Sequence, residues 1–300
     1  MAILESGSVK HFKGLSSDTK PTDASIGAGS TLVETDTGIE YFYDGDSWRP
    51  KASGDYKYDI SRGKVTGAKP FYGYGRITTG AAVDTPSLIW PNGAWSAPPS
   101  TGVQISVVST NANDTVAGTG ARVLRVIYLD TSLSEQYEDI NMNGTTTVLS
   151  VATNIRFIQC TFVLEFGSGV YAAGNISLSN GSGSNYSYIE AGAIRCSSSA
   201  RMVPAGKRLI ITQAIGSSLS PNSPAATNIQ IATSKFEGVD YSANSVLIPF
   251  GDLGFQDNSF GIEFIVPAKF DEGTIIGMLA TTDKSAIISG SWYGFIEDAI

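Results

Sequence analysis

Ile155-Arg-Phe-Ile-Gln-Cys-Thr-Phe-Val-Leu-Glu-Phe166 is a run made mostly of β-branched and aromatic residues. Such side chains suit the pleated, packed surface of a strand. The run is too continuously apolar to keep one face wet, so it predicts a central strand covered on both sides. Arg122-Val-Leu-Arg-Val-Ile-Tyr-Leu129 reads the same way. Around these, Val103-Gln-Ile-Ser-Val107, Asn175-Ile-Ser-Leu-Ser179 and Asn228-Ile-Gln-Ile-Ala232 alternate apolar and polar. A period of two places one face in a core and the other in water. Further strands are expected at Ser187–Arg195, Arg208–Gln213, Ser245–Phe250, Gly261–Val266, Thr274–Ala280 and Ala286–Phe295. Turn clusters separate them, at Asn111–Gly120, Asn143-Gly144, Asn180–Ser184, Pro204–Lys207, Ser217–Pro224 and Asp271–Gly273. No long segment carries an apolar stripe at helical spacing. Residues 71–300 are therefore expected to be all-β, an antiparallel β-sandwich of jelly-roll type.

Residues 1–53 differ. Gly14-Leu-Ser-Ser-Asp-Thr-Lys-Pro21 is polar and rich in turn formers. Beyond it, two short β-prone runs flank Asp36-Thr37-Gly38, and Asp44-Gly45 leads on to Trp48. This predicts a small β-meander of about three strands. Leu32, Val33, Ile39, Tyr41, Tyr43 and Trp48 are its apolar residues, too few to make it stable without a surface or partner copies. Leu32, Tyr41, Tyr43 and Trp48 are accordingly the candidate docking and oligomerisation residues. Residues 54–70, with Lys57, Arg62, Lys64 and Lys69 among glycines and Pro70, read as a linker that is locally basic.

Composition limits function. Of 300 residues, 16% are charged, below the usual share of about 25%. Lys and Arg number 20 against 28 Asp and Glu, for a net charge of −8, which disfavours a nucleic-acid partner. His11 is the single histidine and lies in the N-terminal segment, read as a solvent-facing side chain on an arm. That leaves histidine-dependent nucleophilic catalysis and His/Cys zinc sites poorly supplied. Cys160 and Cys196 form no C-x-x-C and read as two buried free thiols, with a disulfide between neighbouring strands as the alternative. The N-terminus lacks the pattern of a signal peptide, and no apolar run is long enough to span a bilayer. No catalytic residue, cofactor site or metal site is expected.

Three motifs carry a chemical reading beside a structural one. Asp139-x-Asn141-x-Asn143-Gly144 matches the opening of a calcium loop, but Ser150 stands where the closing Glu belongs, so it reads as a hairpin turn. Gly118-Thr-Gly-Ala-Arg122 lacks a phosphate-loop Lys-Ser/Thr and reads as a loop feeding a strand. Ile89-Trp-Pro-Asn-Gly-Ala-Trp95 sets two indoles around a turn. Trp90 and Trp95 are candidates for surface binding, as a sugar platform or interface anchor, or else for core packing.

Gly14–Pro21, Glu34-Thr-Asp-Thr-Gly38 and Tyr41-Phe-Tyr-Asp-Gly-Asp-Ser-Trp48 together resemble a short N-terminal module of tailed-bacteriophage virion proteins. The body is similar to phage structural proteins at Gly118–Arg122, Asn143-Gly-Thr145, Ala200–Lys207 and Ser289–Phe295. The resemblance implies a non-enzymatic virion protein, a capsid decoration protein or head fibre, made in the host bacterial cytoplasm. It also implies a homotrimer whose partners are the major capsid protein or other virion proteins. Two alternatives are a tail or receptor-binding protein that contacts host surface glycans, and a carbohydrate-active enzyme or lectin. No nucleic-acid or membrane partner is expected.

Overall fold

The structure is a computed structural model. It describes residues 8–51, 56–78, 86–220, 225–234, 246–247, 253–256 and 259–299. The chain divides into two compact units, Met1–Thr66 and Gly67–Ile300.

In the first unit, β1 (His11–Gly14), β2 (Thr31–Glu34), β3 (Glu40–Tyr43) and β4 (Trp48–Pro50) form one sheet in sequence order. The β2–β3–β4 meander is antiparallel, as expected, while β1 joins β2 in parallel. His11 is thus on a strand and not on an arm; its side chain is exposed and its Nδ1 lies 2.7 Å from Thr31 Oγ1. Asp36-Thr37-Gly38 makes the β2–β3 turn, where Gly38 adopts a φ of 70° that a side chain would resist. Part of the expected linker is ordered as a short helix, α1 (Tyr56–Ser61), with Ile60 buried.

The second unit is all-β, and its sheets are antiparallel. It contains two sandwiches, one nested in the other. The outer sandwich begins with β5 (Lys69–Ile77) and β6 (Ser87–Leu88). The chain then leaves to build the inserted sandwich. That comprises β7 (Ser106–Ser109), β8 (Ala121–Asp130), β9 (Glu135–Asn141), β10 (Val148–Leu149), β11 (Ile155–Phe166), β12 (Ile176–Ser179) and β13 (Asn185–Ile189). It returns through β14 (Arg201–Met202), β15 (Lys207–Leu219), β16 (Ala226–Ser234), β17 (Val246–Leu247), β18 (Leu253–Gln256), β19 (Ser259–Phe270), β20 (Ile275–Thr282) and β21 (Ile287–Asp298). Of the strand expected at 245–250, only Val246 and Leu247 are among the described residues. Residues 221–224 of the expected turn at 217–224 also lie outside them. Ser217–Leu219 continue β15 instead of turning, because β21 pairs with them to the end.

Sheet order accounts for the two cores. In the inserted sandwich, sheet β10-β7-β12-β13 faces sheet β11-β8-β9 across Ile105, Leu124, Val126, Ile155, Ile176 and Leu178, all fully buried. In the outer sandwich, sheet β19-β15-β21-β5 faces the sheet containing β14-β20-β16-β17, across Leu209, Ile211, Ile276, Met278 and Trp292. A third cluster joins the sandwiches: Leu88, Trp90, Trp95, Leu129, Phe157, Met202 and Leu279.

β11 corrects one expectation. It is an edge strand, paired with β8 alone in its sheet, and not a central one. Its two buried faces have different covers. Ile155, Ile158 and Val163 pack into the inserted sandwich, whereas Phe157 packs into the junction. Gln159 sits on the junction side too, its amide bonded both ways to the backbone of Met202. The chain itself covers both faces of β11. Among the described residues, no helix is long and apolar enough to cross a membrane.

Candidate interaction surfaces

The docking residues read from the module all lie on one side of its sheet. Strand alternation puts Phe12, Leu32, Tyr41, Tyr43 and Trp48 on that face. Leu32 and Tyr43 are buried, and Trp48 and Tyr41 are half-buried. Trp48 meets Phe12 edge-on at 5.7 Å between ring centroids and Tyr43 at 5.2 Å. The Trp48 indole N–H donates to the Pro21 carbonyl at 2.6 Å. Lys20 lies over the Tyr41 ring and pairs with the buried carboxylate of Glu34 at 2.8 Å. That hydrogen bond, with another from Thr37, holds the Glu34 carboxyl below its ordinary range and raises Lys20. The polar stretch before β2 therefore closes the aromatic face within a single chain.

The opposite face is open. Across the four strands, His11, Thr31, Phe42 and Arg49 stand in register as one row. Phe42 is 41% exposed at its middle, and Arg49 is paired with Asp44 at 2.8 Å. Sequence reasoning passed over Phe42, although the signal was present. If Tyr41 and Tyr43 face inward, the residue between them must face out.

Trp90 and Trp95 are not surface residues. They are 2% and 4% exposed, and each indole N–H is bonded to a carbonyl, of Gly93 and Tyr186 respectively. Trp95 packs on Phe157 at 6.0 Å and Trp90 on Tyr188 at 6.5 Å, so both hold the junction together. The sugar-platform reading is corrected accordingly. The body's exposed aromatics lie elsewhere. Tyr72 and Tyr293 are cross-strand partners stacked at 6.3 Å, and Tyr137 lies under the Arg125 guanidinium.

The remaining motifs are structural. Asp139 sits in β9 and takes two hydrogen bonds from Arg125 of β8, both at 2.7 Å, which hold its carboxyl below the usual range. Gly118–Arg122 wraps around Asp114, which is 0% exposed. Asp114 accepts from the Ser109 hydroxyl and from the backbone N–H groups of Ala121, Ala173 and Gly174, at 2.6 to 2.8 Å. Cys160 and Cys196 are free thiols. Cys160 lines a groove of about 480 Å³ that also involves Phe71, Phe162, Arg195 and Arg201. No group of three or more His, Cys, Asp or Glu placed to hold a metal occurs among the described residues.

No family model matches the chain. No curated protein matches it either. Solved structures of infectious bursal disease virus are similar to it over much of their length. One, of the Gx strain, is 11% identical, covers 77% of this chain and 71% of that chain, and has a TM-score of 0.17. Another, of the VP2 subviral particle, is 12% identical, covers 92% of this chain and 69% of that chain, and has a TM-score of 0.18. At such TM-scores the likeness carries no argument about role.

Proposed function

We propose that this chain is a non-enzymatic structural protein of a virion, a homotrimeric capsid decoration or head-fibre protein docked through its N-terminal module. The observation that carries the docking reading is the two-sidedness of the module. Its aromatic face is closed by its own chain, and its other face leaves Phe42 open at the centre of the His11–Thr31–Phe42–Arg49 row. An exposed aromatic set in a polar rim is the form an interface anchor takes. The virion assignment rests on the resemblance of Gly14–Pro21, Glu34–Gly38 and Tyr41–Trp48 to phage virion modules. A structural role is supported by how the buried polar groups are used. Asp114 and Gln159 bond to backbone groups of neighbouring segments, and Arg201 to the carbonyls of Ser198 and Ala200 just before it.

The test is co-sedimentation of the full-length chain with particles of its phage. Wild type should join the particle, and Phe42→Glu should be lost from it while its circular dichroism stays unchanged. Normal incorporation of Phe42→Glu would remove the docking role of this face. Native mass spectrometry of the isolated chain tests the trimer separately, and a monomer at micromolar concentration would overturn it.

A further inference from the structure

Cys160 and Cys196 come from different segments, yet their sulfurs lie 3.8 Å apart. Backbone pairing holds them there. The segment around Arg195 runs antiparallel to β11: the Val163 N–H donates to the Ile194 carbonyl at 2.9 Å, and the Cys196 N–H to the Thr161 carbonyl at 2.8 Å. Phe162 and Arg195 are bridge partners between these bonds. The Thr161 N–H also points at the Cys196 sulfur, at 3.3 Å. Access to the two thiols is unequal. Cys196 is 5% exposed and belongs to the inserted core, whereas Cys160 is half-buried and lines the groove beside Arg195 and Arg201.

We propose that Cys160 and Cys196 are an oxidisable dithiol, a modification site at which a low-molecular-weight disulfide such as oxidised glutathione introduces an intramolecular disulfide, with Cys160 as the entry sulfur. The Cys160 sulfur attacks one glutathione sulfur and breaks its S–S bond, which releases one glutathione. Cys196 then attacks the Cys160 sulfur of the mixed disulfide and expels the second glutathione. Two protein thiols are oxidised, one small disulfide is reduced, and both thiol protons end on the two released glutathiones. The contact with Cys160 pulls the Cys196 thiol down, helped by Arg201 and the Thr161 N–H and opposed by burial, while Cys160 is pushed up. Access and not acidity makes Cys160 the entry sulfur: Cys196, the more acidic of the two, is closed off in the inserted core, and at 3.8 Å its sulfur is the nearest base to take the Cys160 proton during the attack. Closing the bond brings the sulfurs from 3.8 Å to about 2.05 Å. The product staples the edge strand β11 to the segment that covers it.

The experiment exposes the full-length folded chain to a glutathione redox buffer, quenches with acid, unfolds, alkylates and maps the peptides. Wild type should yield a Cys160–Cys196 cross-linked peptide, with a mass loss of two hydrogens and no alkylation at either site. Cys196→Ser should retain a glutathione adduct on Cys160, and Cys160→Ser should leave Cys196 unmodified until the chain is unfolded. Two free alkylated thiols in oxidised wild type, or a stable glutathione adduct on Cys160 in wild type, would overturn the site. Modification of Cys196 in folded Cys160→Ser as fast as that of Cys160 in Cys196→Ser would overturn the order of attack. Should either serine variant fail to fold, the wild-type cross-link alone decides the site.

Discussion

Asp114 shows how a single buried carboxyl group can organise a loop system. It gathers the start of β8, the Ala173-Gly174 backbone and Ser109 of β7 onto two oxygens. Asp114→Ala would leave three backbone donors without their acceptor in a dry site. The expected loss is about 3–5 kcal/mol of unfolding free energy, read by denaturant titration. Asp114→Asn, which keeps one acceptor oxygen, should lose less. Glu34 makes a second prediction at this scale. Its folded pKa lies below the unfolded value of about 4.3, so its stabilisation is present above that pH and is lost as pH falls through the folded value. Lys20 is raised, so its contribution holds below its unfolded value of about 10.4 and fades as pH rises through the folded one. The module should therefore loosen in acid. The Trp48 indole N–H resonance is the probe, because its bond to Pro21 spans the closed face. Glu34→Gln should flatten the acid limb; an unchanged limb would show that another carboxylate controls it.

At the level of elements, most strands declare themselves by alternation, but the closeness of their packing does not. β5 carries Gly73 and Gly75 where it passes the Ile89 and Ser199 backbones. A Cβ on Gly75 would sit 1.8 Å from the Ile89 carbonyl oxygen, and one on Gly73 would sit 2.3 Å from that of Ser199. Gly75→Ala must therefore push β5 off the sheet edge or displace residue 89. A destabilisation of about 1–3 kcal/mol is expected in thermal unfolding, as for other overpacked sites. Gly93→Ala is a poor control because its φ is 61°, whereas Gly261, where a Cβ would meet only ordinary contacts at 3.5 Å and beyond, is a suitable one. β13 shows where alternation misleads. The expected strand to Arg195 ends at Ile189, because Glu190 starts a turn closed by the Ala193 N–H bonding to its carbonyl.

Across the second unit as a whole, two nested sandwiches share one small junction, and Phe157, like Trp90, is a fully buried ring in it. Phe157→Ala removes an aromatic that touches Trp95 and should cost about 3–5 kcal/mol. The loss should fall on the coupling between the sandwiches more than on either core. Calorimetry should then resolve two transitions in the variant where wild type shows closer coupling. A single transition, merely shifted, would mean that the sandwiches unfold as one body regardless of the junction.

The sequence carried the all-β character, most of the turns and the inward side of most strands, because a strand's period of two is written in consecutive residues. It also carried the turn at Asn143-Gly144, though not the hairpin read there, since β9 and β10 lie in different sheets, and it showed that Gly118–Arg122 feeds a strand. It carried the outward direction of Phe42 through the alternation of Tyr41-Phe42-Tyr43. That the body is two sandwiches, that β11 is an edge, that Trp90 and Trp95 are buried and that Cys160 meets Cys196 emerged only from the packed chain. Each of these depends on which distant segments meet. A fully apolar strand looks the same in sequence whether sheet neighbours or a second sandwich cover it, and an indole's exposure is set by residues about sixty positions away, as with Trp95 and Phe157.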